Sequence, residues 1–217
     1  MTASDSAPAV AEFAAALRQA RPDLDDARAA LARAVYRLLA AGRPVTDDQL
    51  AADTGQPADQ VTATLAAWPG VFRDDTGAVV GFWGLTVLDM PPHRLQVDGV
   101  PLSTWCAFDT LFLPPILAAT AHVESVDAFT GDPITLTVTA DGTATTSQPD
   151  PLVSFLDPAG KFDADIITSF CHYVHFFTDQ ENGRRWTANH PGTFLLRLDD
   201  ALAVAADFAQ DLVATSA

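Results

Sequence analysis

The chain has 217 residues, 48% of them hydrophobic and 18% charged, which is enough apolar material for one or two buried cores and excludes a disordered polymer. Its 28 acidic and 12 basic residues leave a formal net charge of −16. That excess disfavours nonspecific binding to nucleic acid or to anionic membranes, both of which require basic patches.

The first residues carry no basic segment followed by an apolar core, so no secretory signal is expected. Residues 8–19 are predicted to form an amphipathic helix with Val10, Phe13, Ala14 and Leu17 on one face. A stronger helix is predicted over 22–41, with Gly42 as its stop. Thr46 is placed to cap a short helix over 47–53 that Gly55 ends, and Pro57 opens another over 57–67. Two strand-like runs, 71–73 and 79–83, are joined by Asp74-Asp75-Thr76-Gly77. Helices followed by a hairpin outline a winged-helix-like unit. Its would-be recognition helix, 59–67, has no Arg or Lys, and its hairpin turn carries Asp74 and Asp75. Reading DNA requires donors for phosphates and base edges, so this unit is expected to pack against protein rather than bind nucleic acid.

Residues 89–100 read as a loop around Pro91-Pro92 and Asp98-Gly99. A helix holding Cys106 and Asp109 is predicted next, stopped near Pro114-Pro115. Strands are predicted over 122–126 and 133–139, where Ile134, Leu136 and Val138 alternate with threonines, and over 152–156. The β-branched and aromatic run 166–177, which holds Cys171, reads as a strand. Arg184-Arg185-Trp186 leads into a short helix, 195–198 reads as a closing strand, and 200–214 as a final helix. The pattern is α+β: a helical, winged-helix-like N-terminal domain over 1–85, then a mixed or antiparallel sheet domain with flanking helices over 86–217 that carries both cysteines. The longest apolar stretch, 111–121, is too short to span a membrane and contains two prolines. A reducing cytoplasmic location is therefore expected, with both thiols reduced.

The chemistry concentrates at those two cysteines. If 106–109 is helical, Cys106 and Asp109 share one face and can exchange a proton, and the helix dipole favours the Cys106 thiolate. Two soft sulfurs with a carboxylate beside one of them suit a thiophilic metal or thiol chemistry. Asp109 reads either as a general acid–base or as an ordinary first-turn helix acid. Strand alternation places Cys171, Tyr173 and His175 on one face and His172, Val174 and Phe176 on the other. His172 and His175 are thus not expected to share a metal with Cys171, and His175 is expected to be satisfied by hydrogen bonds. Trp105, Phe108, Phe112, Phe170, Tyr173, Phe176 and Phe177 flank the thiols as core or as the wall of an apolar pocket. No glycine-rich phosphate loop is present.

Trp105-Cys106-Ala107-Phe108-Asp109-Thr110-Leu111 closely resembles the Trp-Cys-Ala-Leu-Asp-Thr-Leu segment of organomercurial (alkylmercury) lyases. Ser169-Phe170-Cys171, with His175-Phe176-Phe177 after it, is similar to the second segment of that family. The Thr130-Gly131-Asp132-Pro133 turn and the winged-helix-like region also fit, so the resemblance covers about residues 20–212. It implies protonolysis of a carbon–mercury bond, releasing a hydrocarbon and Hg(II). Cys106 and Cys171 would be the thiolates and Asp109 the proton donor, all three holding mercury as substrate and product. The resemblance implies no cofactor. It implies low-molecular-weight thiols for turnover and a mercuric reductase as one acceptor of the metal. The chain departs from the family at His172 and Asp127, where many members carry further cysteines, and at Tyr173, often a histidine. Other readings remain: a noncatalytic thiol protein binding Hg or Cu on the same scaffold, a metal-responsive winged-helix regulator, and a thiol–disulfide redox protein, which would lack the usual Cys-x-x-Cys pair.

Overall fold

The structure, a computed structural model, describes residues 9–158 and 162–213. The predicted helix start at Pro8, the chain's single lysine Lys161, and the predicted helix end at Ala214 lie outside the described residues. Helix α1 (Val10–Ala20) buries Phe13, Ala14, Leu17 and Ala20 along one stripe. Helix α2 (Asp26–Leu39) starts later than the sequence suggests, because the Asp25 carboxylate accepts the Arg28 N–H at 2.8 Å and leaves Pro22 outside the helix. Helix α3 (Asp47–Thr54) has the Thr46/Gln49 capping box and ends at Gly55, whose φ of 69° is left-handed. Helix α4 (Ala58–Ala67) turns Val61 and Leu65 inward.

Strands β1 (Val71–Arg73), β2 (Val79–Phe82) and β3 (Leu85–Thr86) follow, with β2 and β3 joined by the two-residue turn Trp83-Gly84. The stretch read as loop at 89–100 contains a second hairpin, β4 (Arg94–Val97) and β5 (Val100–Thr104). Asp98 and Gly99 are its turn, with φ of 49° and 79°, the pair of positive values such a turn requires. Only four alternating residues of β4 precede that turn, too few to stand out beside two prolines.

Helix α5 (Asp109–Leu117) runs through Pro114 and Pro115 and stops three residues past the predicted point. Proline fixes φ near the helical value, so the pair removes N–H donors without ending the helix. The stop is Ala118, left-handed at φ 51°, after which the N–H groups of Ala118 and Ala119 return to the carbonyls of Pro115 and Pro114. Strands β6 (Ala121–Val126), β7 (Pro133–Val138), β8 (Ala144–Thr146) and β9 (Leu152–Leu156) complete the middle of the chain. The segment predicted as one strand over 166–177 divides into α6 (Ile166–Ser169), a 3₁₀ turn (Cys171–Tyr173) and the two-residue β10 (Phe176–Phe177). Helix α7 (Gln180–Thr187), strand β11 (Thr193–Arg197) and helix α8 (Leu198–Ala209) close the fold.

The strands form two antiparallel sheets, one in the order β1-β2-β3-β5-β4-β6-β7-β8 and one in the order β10-β9-β11. This is the expected α+β architecture. The larger sheet is continuous from the N-terminal hairpin into the rest of the chain through the pairing of β3 with β5. Phe13, Phe108, Phe112, Phe155 and Phe208 pack with ring centroids 4.9–5.5 Å apart, tying α1, α5, β9 and α8 together. Among the described residues no helix is long and apolar enough to cross a membrane.

Candidate active site

Strand β5 ends at Thr104, and the next residues turn sharply into α5. Thr104 Oγ1 donates to the Cys106 carbonyl at 3.0 Å, and Thr110 Oγ1 donates to the Ala107 carbonyl at 2.7 Å. The Cys106 N–H donates to Asp109 Oδ2 at 2.8 Å. Cys106 therefore lies before the helix, in the turn that Asp109 closes, rather than on a helical face with it. Their closeness survives by a different geometry. Ala107 N–H donates to the Val174 carbonyl at 3.2 Å, which docks the Cys171 segment against this turn. His175 is fixed to β9 by two bonds, from its N–H to Ser154 Oγ at 3.0 Å and from the Ser154 N–H to its carbonyl at 2.9 Å. The Ser154 hydroxyl also donates to the Tyr173 carbonyl at 2.8 Å, so these tertiary bonds begin at Tyr173. Over Cys171–Tyr173 the chain coils as a 3₁₀ turn, which overrides the strand propensity of its residues.

The result is convergence. Cys106 Sγ, Cys171 Sγ and an Asp109 carboxylate oxygen all lie within 4.8 Å of one another. Cys106 is 0% exposed, Cys171 4% and Asp109 6%. Burial pushes the Cys106 thiol well above its ordinary pKa, with the neighbouring Cys171 and Asp109 adding to the effect. At Cys171 the hydrogen bond from Cys106 favours the thiolate, but burial and the facing Asp109 charge together outweigh it, so this thiol also lies above its usual value. The thiolate expected at Cys106 from the helix dipole is thus not the resting form. Burial likewise lifts Asp109 to about 7, against hydrogen bonds from the Cys106 side chain and N–H that pull it down. A carboxyl poised near neutrality beside two neutral thiols can both accept a proton and give it back.

Cys171 and Asp109 line a narrow apolar cavity of about 40 Å³, while Cys106 is not part of its wall. Trp105, Phe108, Phe112 and Phe170 reach its wall as the sequence suggests, while Tyr173, Phe176 and Phe177 do not. Sequence reasoning missed Leu17, Arg21, Trp83, Phe162 and Phe208, which line it from distant parts of the chain. Trp83 ends the predicted strand-like run 79–83, and no local pattern marks it or the others as part of a cavity wall. Arg21 is 6% exposed and is held by the Phe208 carbonyl at 2.7 Å and by Asp211.

The histidines stay outside the trio. His175 Nε2 pairs with the His172 carbonyl at 2.8 Å, His172 is exposed, and His93 Nδ1 pairs with Ser125 Oγ at 2.8 Å. Among the described residues the trio is the one group of three or more Cys, His, Asp or Glu side chains arranged to hold a metal ion. Asp127 serves the scaffold. Its buried carboxylate accepts the N–H groups of Phe129, Thr130 and Thr178, the Thr178 hydroxyl and the Asn182 amide, at 2.8–3.0 Å. Asp127→Ala leaves three backbone donors unpaired and is expected to lower stability by about 3 kcal/mol, read as a lower urea midpoint.

Two family profiles match the chain: the helix-turn-helix domain of alkylmercury lyase over residues 12–83, and alkylmercury lyase over 88–210. An alkylmercury lyase of Streptomyces lividans is 42% identical over 169 residues, 78% of this chain and 77% of the relative. One from Staphylococcus epidermidis is 36% identical over 196 residues, 88% of each chain. The crystal structure of the mercury-bound form of MerB2 shares the fold, with a TM-score of 0.72 at 24% identity over 94% of this chain and 98% of that one. With both profiles in sequence and relatives aligned over more than three quarters of its length, the chain belongs to the alkylmercury lyase family.

Proposed function

We propose that Cys106, Cys171 and Asp109 carry out the protonolysis of carbon–mercury bonds that this family membership assigns, on organomercurials small enough to enter the apolar cavity. The observation that carries the assignment of roles is the convergence of the two sulfurs and the carboxylate within 4.8 Å. The substrate is an organomercurial carried on a small thiol, R–Hg–SR′. The Cys106 sulfur displaces that thiol: its proton leaves on R′S⁻ and R–Hg is now bound to Cys106. Asp109 then takes the Cys171 proton, and the Cys171 sulfur joins the mercury. Two sulfur ligands on a soft metal push electron density onto the Hg–C bond. That bond breaks with its electron pair on carbon, and the Asp109 proton completes R–H. Mercury stays Hg(II) on both sulfurs, and no electron is gained or lost. Two further small thiols restore the protons and carry the metal away, to a mercuric reductase or another acceptor. Every step uses the chain's own groups and free thiols, so the reading requires no cofactor. An abundant supply of free thiols is a property of the cytoplasm.

The first 85 residues supply walls rather than a reading head in this scheme, since α4 offers no cationic side chain. The noncatalytic sequestering alternative is disfavoured, because two sulfurs suffice to hold mercury and give no reason to bury a third, ionisable group at the same point. Headspace detection of methane or benzene from methyl- or phenylmercury in excess thiol is the direct test. Mercury retention with no hydrocarbon would defeat the reading.

The proton relay has a pH signature. Asp109 must be ionised to accept the Cys171 proton, and its pKa is raised to about 7. kcat/KM is expected to fall as pH drops below about 7, roughly tenfold per unit, and to level off above it. A profile flat down to pH 5 would contradict the relay.

A further inference from the structure

The β2–β3 turn reaches the catalytic carboxylate. Phe82 pairs with Leu85, so Trp83 and Gly84 make the whole turn, at φ 35° and 96°. Positive φ is disfavoured for a bulky side chain, and Trp83 is kept there by its surroundings. Tyr36 Oη, from α2, donates to the Trp83 carbonyl at 2.9 Å, and Trp83 Nε1 donates to the Pro69 carbonyl at 2.7 Å. The Trp105 N–H donates to the Gly84 carbonyl at 3.0 Å, one residue before the first catalytic cysteine. Tyr36 itself is fully buried.

Gly84 then meets Asp109 with no room to spare. A Cβ at Gly84 would stand 2.5 Å from Asp109 Cγ, 2.5 Å from Oδ1 and 3.0 Å from its Cβ. The other carboxylate oxygen, Oδ2, takes the Cys106 N–H. The carboxylate is therefore gripped from two sides, by a hydrogen bond on Oδ2 and by bare backbone against Oδ1.

We propose that Gly84 is a positioning residue for Asp109, and that Tyr36 and Trp83 set the turn that presents it. The winged-helix-like region thereby aims the proton donor. This rests on the proton-donor reading of Asp109. Hydrogen transfer to carbon demands a fixed donor, whereas capture of mercury by two sulfurs does not.

The test compares Gly84→Ala, Tyr36→Phe and Gly77→Ala in the full chain. Gly77 lies in the other hairpin turn at φ 85°, and a Cβ there would meet nothing within 4 Å, so its substitution reproduces the backbone strain without the clash. Gly84→Ala is expected to lower kcat by about 100-fold, the scale for displacing a reacting group by about 1 Å. KM and one-equivalent Hg(II) capture, read from thiolate–mercury absorbance, are expected to hold. Tyr36→Phe is expected to lower kcat in the same direction but less, and Gly77→Ala to leave it unchanged. Wild-type kcat in a folded Gly84→Ala overturns the proposal, as does a loss of Hg(II) capture that matches the loss of kcat. If Gly84→Ala does not fold, Tyr36→Phe decides: reduced kcat with intact capture supports the proposal, and wild-type kcat overturns it. Asp109→Ala is run alongside. If that variant turns over normally, the reading of Asp109 has failed; if it is dead while the turn variants are fully active, only the positioning role has failed.

Discussion

Asp109→Ala is expected to cut hydrocarbon release by about 10²–10⁴-fold, the usual worth of a positioned general acid or base, while leaving mercury on the protein. The carboxyl lies within 4.8 Å of both sulfurs and is set near neutrality by burial, so it is matched to both halves of a proton relay. Its removal leaves Cys106 and Cys171 free to hold R–Hg or Hg(II). The measurement is gas chromatography of released methane beside the mercury content of the recovered protein. A variant that releases methane at the native rate would leave the proton to come from elsewhere, and the relay would have to be abandoned.

Cys171→Ser is expected to fail more completely, by on the order of 10³-fold or more, because the lost group acts as part of a unit. Serine keeps the size and offers a hydroxyl, but its hard, neutral oxygen does not replace a thiolate on mercury. One sulfur alone captures R–Hg without activating the bond to carbon. The variant should therefore accumulate bound organomercurial, detectable by mass as the intact adduct on Cys106. Cys106→Ser is expected to lose turnover as fully. Sustained turnover by Cys171→Ser would rule out the paired-sulfur mechanism.

Much of this arrangement was legible in the sequence, where the signal was local. The Thr46 cap and the Gly55 stop of α3 are readable because both act within one helical turn. Strands β6 and β7 alternate cleanly because one face is buried and the other is wet. The identity of the trio was legible too, since the two cysteine segments are distinctive together. The geometry was not. Cys171 sits on a 3₁₀ turn because bonds from Ala107 and Ser154 reach its segment from across the fold, and no periodicity carries that information. Cys106 lies ahead of its helix because Asp109 caps the turn, a choice that spacing alone does not distinguish from a shared helical face. The cavity wall was the least legible part. Leu17, Trp83 and Phe208 are ordinary apolar residues until folding brings them around the cavity that Cys171 and Asp109 line.

The continuity of the larger sheet has a consequence for how such a protein can change over time. Leu85 and Thr86 are hydrogen-bonded to Thr104 and Ser103, two positions short of the first reactive sulfur. The helix-turn-helix portion and the remainder are thus not beads on a string but one woven fabric, with the seam running beside the chemistry. Recombination that swapped either portion for a foreign counterpart would have to preserve strand register across that seam. The lineage is accordingly constrained to inherit both pieces together.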